Sequence, residues 1–75
     1  MPFVTMVSTT EEAYRGWTVR LEYRAGYGYS WVAWKAPQQR LESYGGYLES
    51  RAQSRHNAHW VIDRYEAGQP PAHLA

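Results

Sequence analysis

The chain is 75 residues long, enough for one small domain and no second core. It holds no cysteine, which excludes disulfides, a thiolate-held zinc and a thiol nucleophile. Eight Lys and Arg against seven Asp and Glu leave a net charge of +1, which gives no global signal for nucleic acid or a membrane surface. A chain of this size buries only roughly 60% of the surface its unfolded form exposes. The aromatic share of 16% compensates, because each Trp or Tyr buries a large area. Hydrophobic content of 44% with 20% charge argues against disorder. Met1-Pro2-Phe3-Val4 has no basic region and no long apolar run, so no secretory leader is expected. The longest apolar run, Trp31-Val32-Ala33-Trp34, is far too short to cross a bilayer. A cytoplasmic protein is the expectation.

Residues 1–13 form a lead-in, either an arm or an extra strand. Phe3–Val7 has β propensity, and Thr9 with Glu12 suits a capping box and one helical turn. From Trp17 to Arg24 the pattern alternates strictly. Trp17, Val19, Leu21 and Tyr23 fall on one face; Thr18, Arg20, Glu22 and Arg24 fall on the other. Ala25-Gly26-Tyr27-Gly28 reads as a hairpin turn. A second strand is expected over about Tyr29 to Ala36, stopped by Pro37. A third covers about Leu41 to Leu48, where Gly45-Gly46 suggests a bulge or a close backbone approach. Residues 50–67 read as a helix. Ser50 and Gln53 make its capping box, Gly68 stands at its C-terminal end, and Pro70 and Pro71 prevent continuation. Its apolar face carries Ser54, Ala58, Val61, Ile62 and Tyr65. Residues 68–75 are a tail. The expected fold is α+β: a three-stranded antiparallel sheet packed on one C-terminal helix, with an extra N-terminal strand as an option, in one domain over 14–67.

The second strand has two phases open to it. With Val32 and Trp34 turned under the helix, the outer sheet face carries Arg20 and Arg24 beside Tyr29, Trp31 and Lys35, with Tyr47 on the third strand. Guanidinium groups hold phosphates or guanine edges, and flat rings stack on bases. Residues 14–67 contain eight Lys and Arg against five Asp and Glu, a local excess of +3. With the opposite phase, Trp31 is core and the patch shrinks. The bland account of the same face is cross-strand pairing, or cover by the N-terminal arm or a second copy. On the helix, Trp60 falls opposite the apolar face in line with His56 and Arg64, a candidate partner contact unless the Pro70-Pro71 tail folds over it. His56, His59 and Asp63 share a narrow arc, but helical ligands without a partner motif are a weak metal signal. No nucleophile elbow or phosphate loop frames the Ser, His and Asp residues. No catalytic residue, metal or cofactor is expected.

Tyr14-Arg15-Gly16, then Trp31-Val32-Ala33, then Tyr44-Gly45-Gly46-Tyr47 running into a capped helix with Ala58 inward, resemble the ethylene-response-factor and phage-integrase type of DNA-binding domain. The resemblance covers about residues 14–66. It implies three strands plus a helix, with the sheet laid in the major groove of duplex DNA. It also implies DNA contact by Arg20, Arg24 and Trp31, with Arg15 as an addition. Antitoxin-like and phage-encoded inhibitor modules share the layout. Two functions follow as expectations. The first is a non-enzymatic nucleic-acid-binding module using Arg20, Arg24, Trp31, Lys35, Tyr29 and Arg15. The second is a protein-interaction module or homodimer of the kind carried by phages, plasmids or gene cassettes, docking through residues such as Trp60, His56 and Arg64.

Overall fold

Alternation over Trp17–Arg24 demands a sheet with one dry face, and the chain supplies it with its own neighbours. The computed structural model describes residues 7–43 and 46–68. Four strands form an antiparallel sheet in chain order: β1 (Val7–Tyr14), β2 (Trp17–Arg24), β3 (Gly28–Lys35) and β4 (Gln39–Glu42). One helix, α1 (Arg51–Glu66), covers one face. Trp17, Val19, Leu21, Trp31, Ala33 and Leu41 from the sheet meet Ala58, Val61 and Ile62 from α1, all buried. Each fully buried large apolar side chain contributes roughly 1.5–3 kcal/mol.

The sheet has one strand more than the three that patterning required. Ser8 to Glu12, where a helical turn was an option, lies inside β1, and each residue from Val7 to Tyr14 faces one of β2. A continuous ladder satisfies this backbone, whereas an isolated helical turn nucleates poorly. Phe3 to Met6 lie outside the described residues. Arg15 and Gly16 join the strands with φ of 51° and 83°, the two positive values a type I′ loop requires.

The second strand takes the phase opposite to the one favoured for a basic outer face. Arg24 pairs with Gly28, so the β2–β3 loop holds three residues rather than four. Opposed residues in an antiparallel sheet share a face, and one residue more or less in a loop exchanges the faces of the following strand. Trp31 therefore stands against Leu21, inside. Val32 and Trp34 come outside opposite Arg20 and Thr18. The indole of Trp31 is 2% exposed and donates from Nε1 to Asn57 Oδ1 at 2.8 Å.

After β4 the chain leaves the ladder and rejoins it. Ser43 N–H donates to the Trp31 carbonyl at 3.0 Å. Val32 faces Glu42, so an unbroken ladder would set residue 45 against Tyr29; Leu48 stands there instead, three residues on. Tyr29 and Leu48 exchange backbone bonds of 3.0 and 2.7 Å. The expected third strand is thus a short strand and, three residues out of its register, one bridge. Tyr44 and Gly45 lie outside the described residues.

The helix follows its punctuation. The Ser50 hydroxyl accepts from the Gln53 N–H at 3.1 Å, and Gln53 Oε1 accepts from the Glu49 N–H at 2.9 Å. At the other end Gly68 N–H reaches the Tyr65 carbonyl at 3.0 Å. Ser54, Ala58, Val61 and Ile62 are its buried residues, with Tyr65 packed beside them. The Ser54 hydroxyl is fully buried with no hydrogen-bond partner among the described residues. Ser54→Ala removes an unsatisfied polar group and improves helix propensity, so it should raise stability by roughly 1 kcal/mol. A lower urea midpoint for this variant would contradict that account.

Candidate interaction surface

The strand register sorts the expected contact residues onto different surfaces. Arg20 and Arg24 stay on the outer face, away from α1, as their positions in β2 require. Trp31, Tyr29 and Lys35 fall on the helix side with the reversed phase of β3. Trp31 is core; Tyr29 is half-buried against Tyr23, ring centroids 4.8 Å apart. Lys35 Nζ lies 3.1 Å from Glu66 Oε1 and 5.9 Å from the Trp17 ring. Arg15, in the β1–β2 loop, bonds Asp63 at 2.8 Å. The six residues expected to form one basic and aromatic patch are therefore not brought together.

The cations that remain outside are largely matched by carboxylates. Arg20 donates from Nε and Nη2 to Glu11 Oε2 at 3.1 and 2.9 Å, and its guanidinium lies 5.1 Å from the Trp34 ring centroid. Arg40 pairs with Glu42 at 3.2 Å. Arg24 has no carboxylate within salt-bridge distance among the described residues and sits 5.8 Å from the Tyr27 ring. Glu11, Glu22 and Glu42 thus share this face with Arg20, Arg24 and Arg40. Trp34 was expected under the helix rather than on this face, and Glu11 was not singled out from the sequence as a partner of Arg20. The signal for Glu11 was its distance from Arg20 across the tight loop at Arg15-Gly16, which sets the two opposite each other.

A groove of about 320 Å³ opens on the outer face, lined by Glu22, Ser30, Val32, Arg40, Glu42 and Tyr47 among others. A smaller hollow of about 110 Å³ continues it toward Val7 and Arg24, sharing Glu22, Ser30 and Tyr47. Gly46 and Tyr47 make the wall, and Tyr47 is its exposed ring. That wall is held close to β3. A Cβ on Gly28, at φ 123°, would come within 2.9 Å of the Leu48 carbonyl oxygen and 3.2 Å of Tyr47 Cβ. Tyr27 packs on Tyr47 at 5.5 Å between ring centroids.

On the other face, polar groups tie α1 to the sheet. Tyr14 donates to both Asp63 oxygens at 2.9 and 3.1 Å while its ring stacks on His59 at 3.7 Å. Trp17 Nε1 donates to Glu66 Oε1 at 2.7 Å, and Arg55 Nε donates to Glu12 at 2.9 and 3.2 Å. The bonds from Arg15 and Tyr14 hold the Asp63 carboxyl below the ordinary Asp value. Those from Trp17 and Lys35 do the same for Glu66. Bonding to Asp63 raises the Tyr14 hydroxyl above its ordinary value. A carboxyl lowered in the folded state contributes stability above its unfolded value, about 3.8 for Asp63 and 4.5 for Glu66, and loses it as pH falls through the folded value. Wild type should therefore exceed the Asp63→Asn/Glu66→Gln variant in stability most at neutral pH. The gap should narrow below about pH 4. Urea titrations of both proteins along a pH series measure it; a gap that widens in acid refutes this assignment.

The proposed partner contact on α1 keeps its exposure: Trp60 is 46% exposed, with the Arg64 guanidinium 4.8 Å from its ring and His56 exposed nearby. Pro70 and Pro71 lie outside the described residues. Among the described residues no group of three His, Asp or Glu side chains converges as metal ligands would. His59, one of the three helical candidates, is stacked on Tyr14, and Asp63, another, is bonded to Tyr14 and Arg15. No described helix is long and apolar enough to cross a membrane. No family model, curated protein or solved structure matches the chain.

Proposed function

We propose that the chain is a non-enzymatic protein-interaction module that binds its partner in the outer-face groove beside Tyr47. The observation that carries this reading is the charge balance of the face. Three guanidinium groups stand among three carboxylates, and two of the three are already paired. A nucleic-acid backbone needs a surplus of unpaired cations, since its affinity comes from phosphate neutralisation. A protein segment with charges of its own suits a groove that offers both signs, the Ser30 hydroxyl, the Val32 side chain and an exposed tyrosine.

Two measurements test it together. Fluorescence anisotropy with labelled single-stranded and duplex DNA at low salt should show no binding. Affinity falling steeply with salt, about one logarithmic unit per phosphate contact, would overturn the reading in favour of nucleic acid. Panning a random peptide library on the immobilised protein should enrich ligands that Tyr47→Ala weakens by about tenfold. Failure to enrich any Tyr47-dependent ligand would also overturn it.

A further inference from the structure

The two edges of the sheet are built differently. β4 is a four-residue strand, and its ladder with β3 resumes only at Leu48, three residues out of register. β1 is an eight-residue strand paired without a bulge along its inner side, and it contains no proline and no lysine. Among the described residues nothing pairs with its outer side. Short, bulged or lysine-bearing edges discourage further pairing; a long regular one invites it.

Which backbone groups of β1 are free follows from its loop. The residues flanking a two-residue type I′ loop exchange both bonds of a narrow pair, so Tyr14 and Trp17 do so. Bonded pairs then recur at Glu12, Thr10 and Ser8. The N–H and C=O groups of Val7, Thr9, Glu11 and Ala13 point away from β2, into the open edge.

We propose that β1 pairs antiparallel with β1 of a second copy about a twofold axis at Thr10, joining the two sheets into one of eight strands. This goes beyond the groove reading and uses the β1 edge, which meets the smaller hollow only at Val7. A continuous sheet requires outward residues to meet outward residues. The axis at Thr10 sets Thr9 opposite the second copy's Glu11 and Val7 opposite its Ala13, which engages all four free residues of each strand. On the helix side Ser8 meets the second copy's Glu12, and Thr10 meets Thr10. Hydroxyls thereby face carboxylates, a Thr–Thr pair sits on the axis, and no like charges are opposed. Glu11 remains able to accept, because Arg20 occupies only its Oε2. An axis at Glu11 would set two carboxylates against each other. An axis at Thr9 would leave Ala13 without a described partner. The occupant that matches this edge is therefore the edge itself.

Sedimentation velocity across a concentration series reads the mass. The wild type should form a dimer at high concentration. Thr9→Pro deletes an N–H that points outward and leaves the β1–β2 ladder whole, so it should weaken the dimer by about tenfold or more with unchanged circular dichroism. Thr10→Lys and Thr10→Glu each put like charges on the axis and should weaken it roughly fivefold. Mixing these two variants should restore a mixed dimer, which also shows that both are folded. A wild type that stays monomeric at the highest concentration, or a dimer indifferent to Thr9→Pro, overturns the proposal. A dimer that the Lys and Glu variants do not restore on mixing overturns the Thr10 axis. None of these outcomes bears on Tyr47-dependent binding in the groove.

Discussion

Replacing Trp31 by alanine is expected to cost ~3–5 kcal/mol and to leave little of the domain folded. The total stability of a chain this short is on the order of 5–10 kcal/mol, so that loss is a large share. Trp31 is among the largest fully buried side chains, and it fills the space between β3 and α1. Its removal leaves a cavity and strands Asn57 Oδ1, which accepts the indole N–H. Trp34→Ala is the contrast. That indole lies on the outer face under the Arg20 guanidinium, so truncation should cost about 1 kcal/mol or less. Urea unfolding followed by far-ultraviolet circular dichroism measures both. Equal losses at the two positions, or a larger loss at Trp34, would mean that β3 has the opposite phase.

Gly28→Ala should destabilise by roughly 3 kcal/mol, within the range for strained backbone joined to a displaced neighbour. Position 28 sits at φ 123°, where a side chain is strained whatever space surrounds it. The space is also taken, by the Leu48 carbonyl and Tyr47 Cβ. A backbone carbonyl cannot swing aside as a side chain can. Relief requires breaking the two bonds between Tyr29 and Leu48, which moves Tyr47 and the wall of the groove. The same variant should therefore lose peptide binding in the fraction that still folds. Gly26→Ala is the control. It also has positive φ, but a Cβ there meets nothing within 4 Å. Backbone strain alone should make it the milder of the two.

Much of the proposed surface was hidden in the sequence because its charges act in pairs that only the register reveals. Arg20 and Arg24 read as free cations along the chain, and Glu11 belonged to a lead-in of uncertain form. Once β1 joins the sheet, Glu11 stands beside Arg20 and cancels it. Lys35 and Arg15 are claimed by Glu66 and Asp63, residues 31 and 48 positions away on α1. Spacing along the chain carries no information about pairs so far apart, whereas the cap and face of α1 depend on residues within a few turns.

Local pattern alone determined that β2 is a strand with Trp17, Val19 and Leu21 inward. It also determined that Ser50 caps α1 and that the helix lays Ser54, Ala58, Val61 and Ile62 on the sheet. Those features repeat with the period of the element itself, so neighbouring residues suffice to specify them. Tertiary structure decided the rest: whether β1 pairs, which face of β3 is dry, and which carboxylate neutralises which cation. The physical reason is parity. One residue more or less in the loop after Arg24 exchanges every side chain of β3 between water and core, and the aromatic residues there suit either side. Only packing against α1, with Asn57 placed to receive the Trp31 indole, selects between the two.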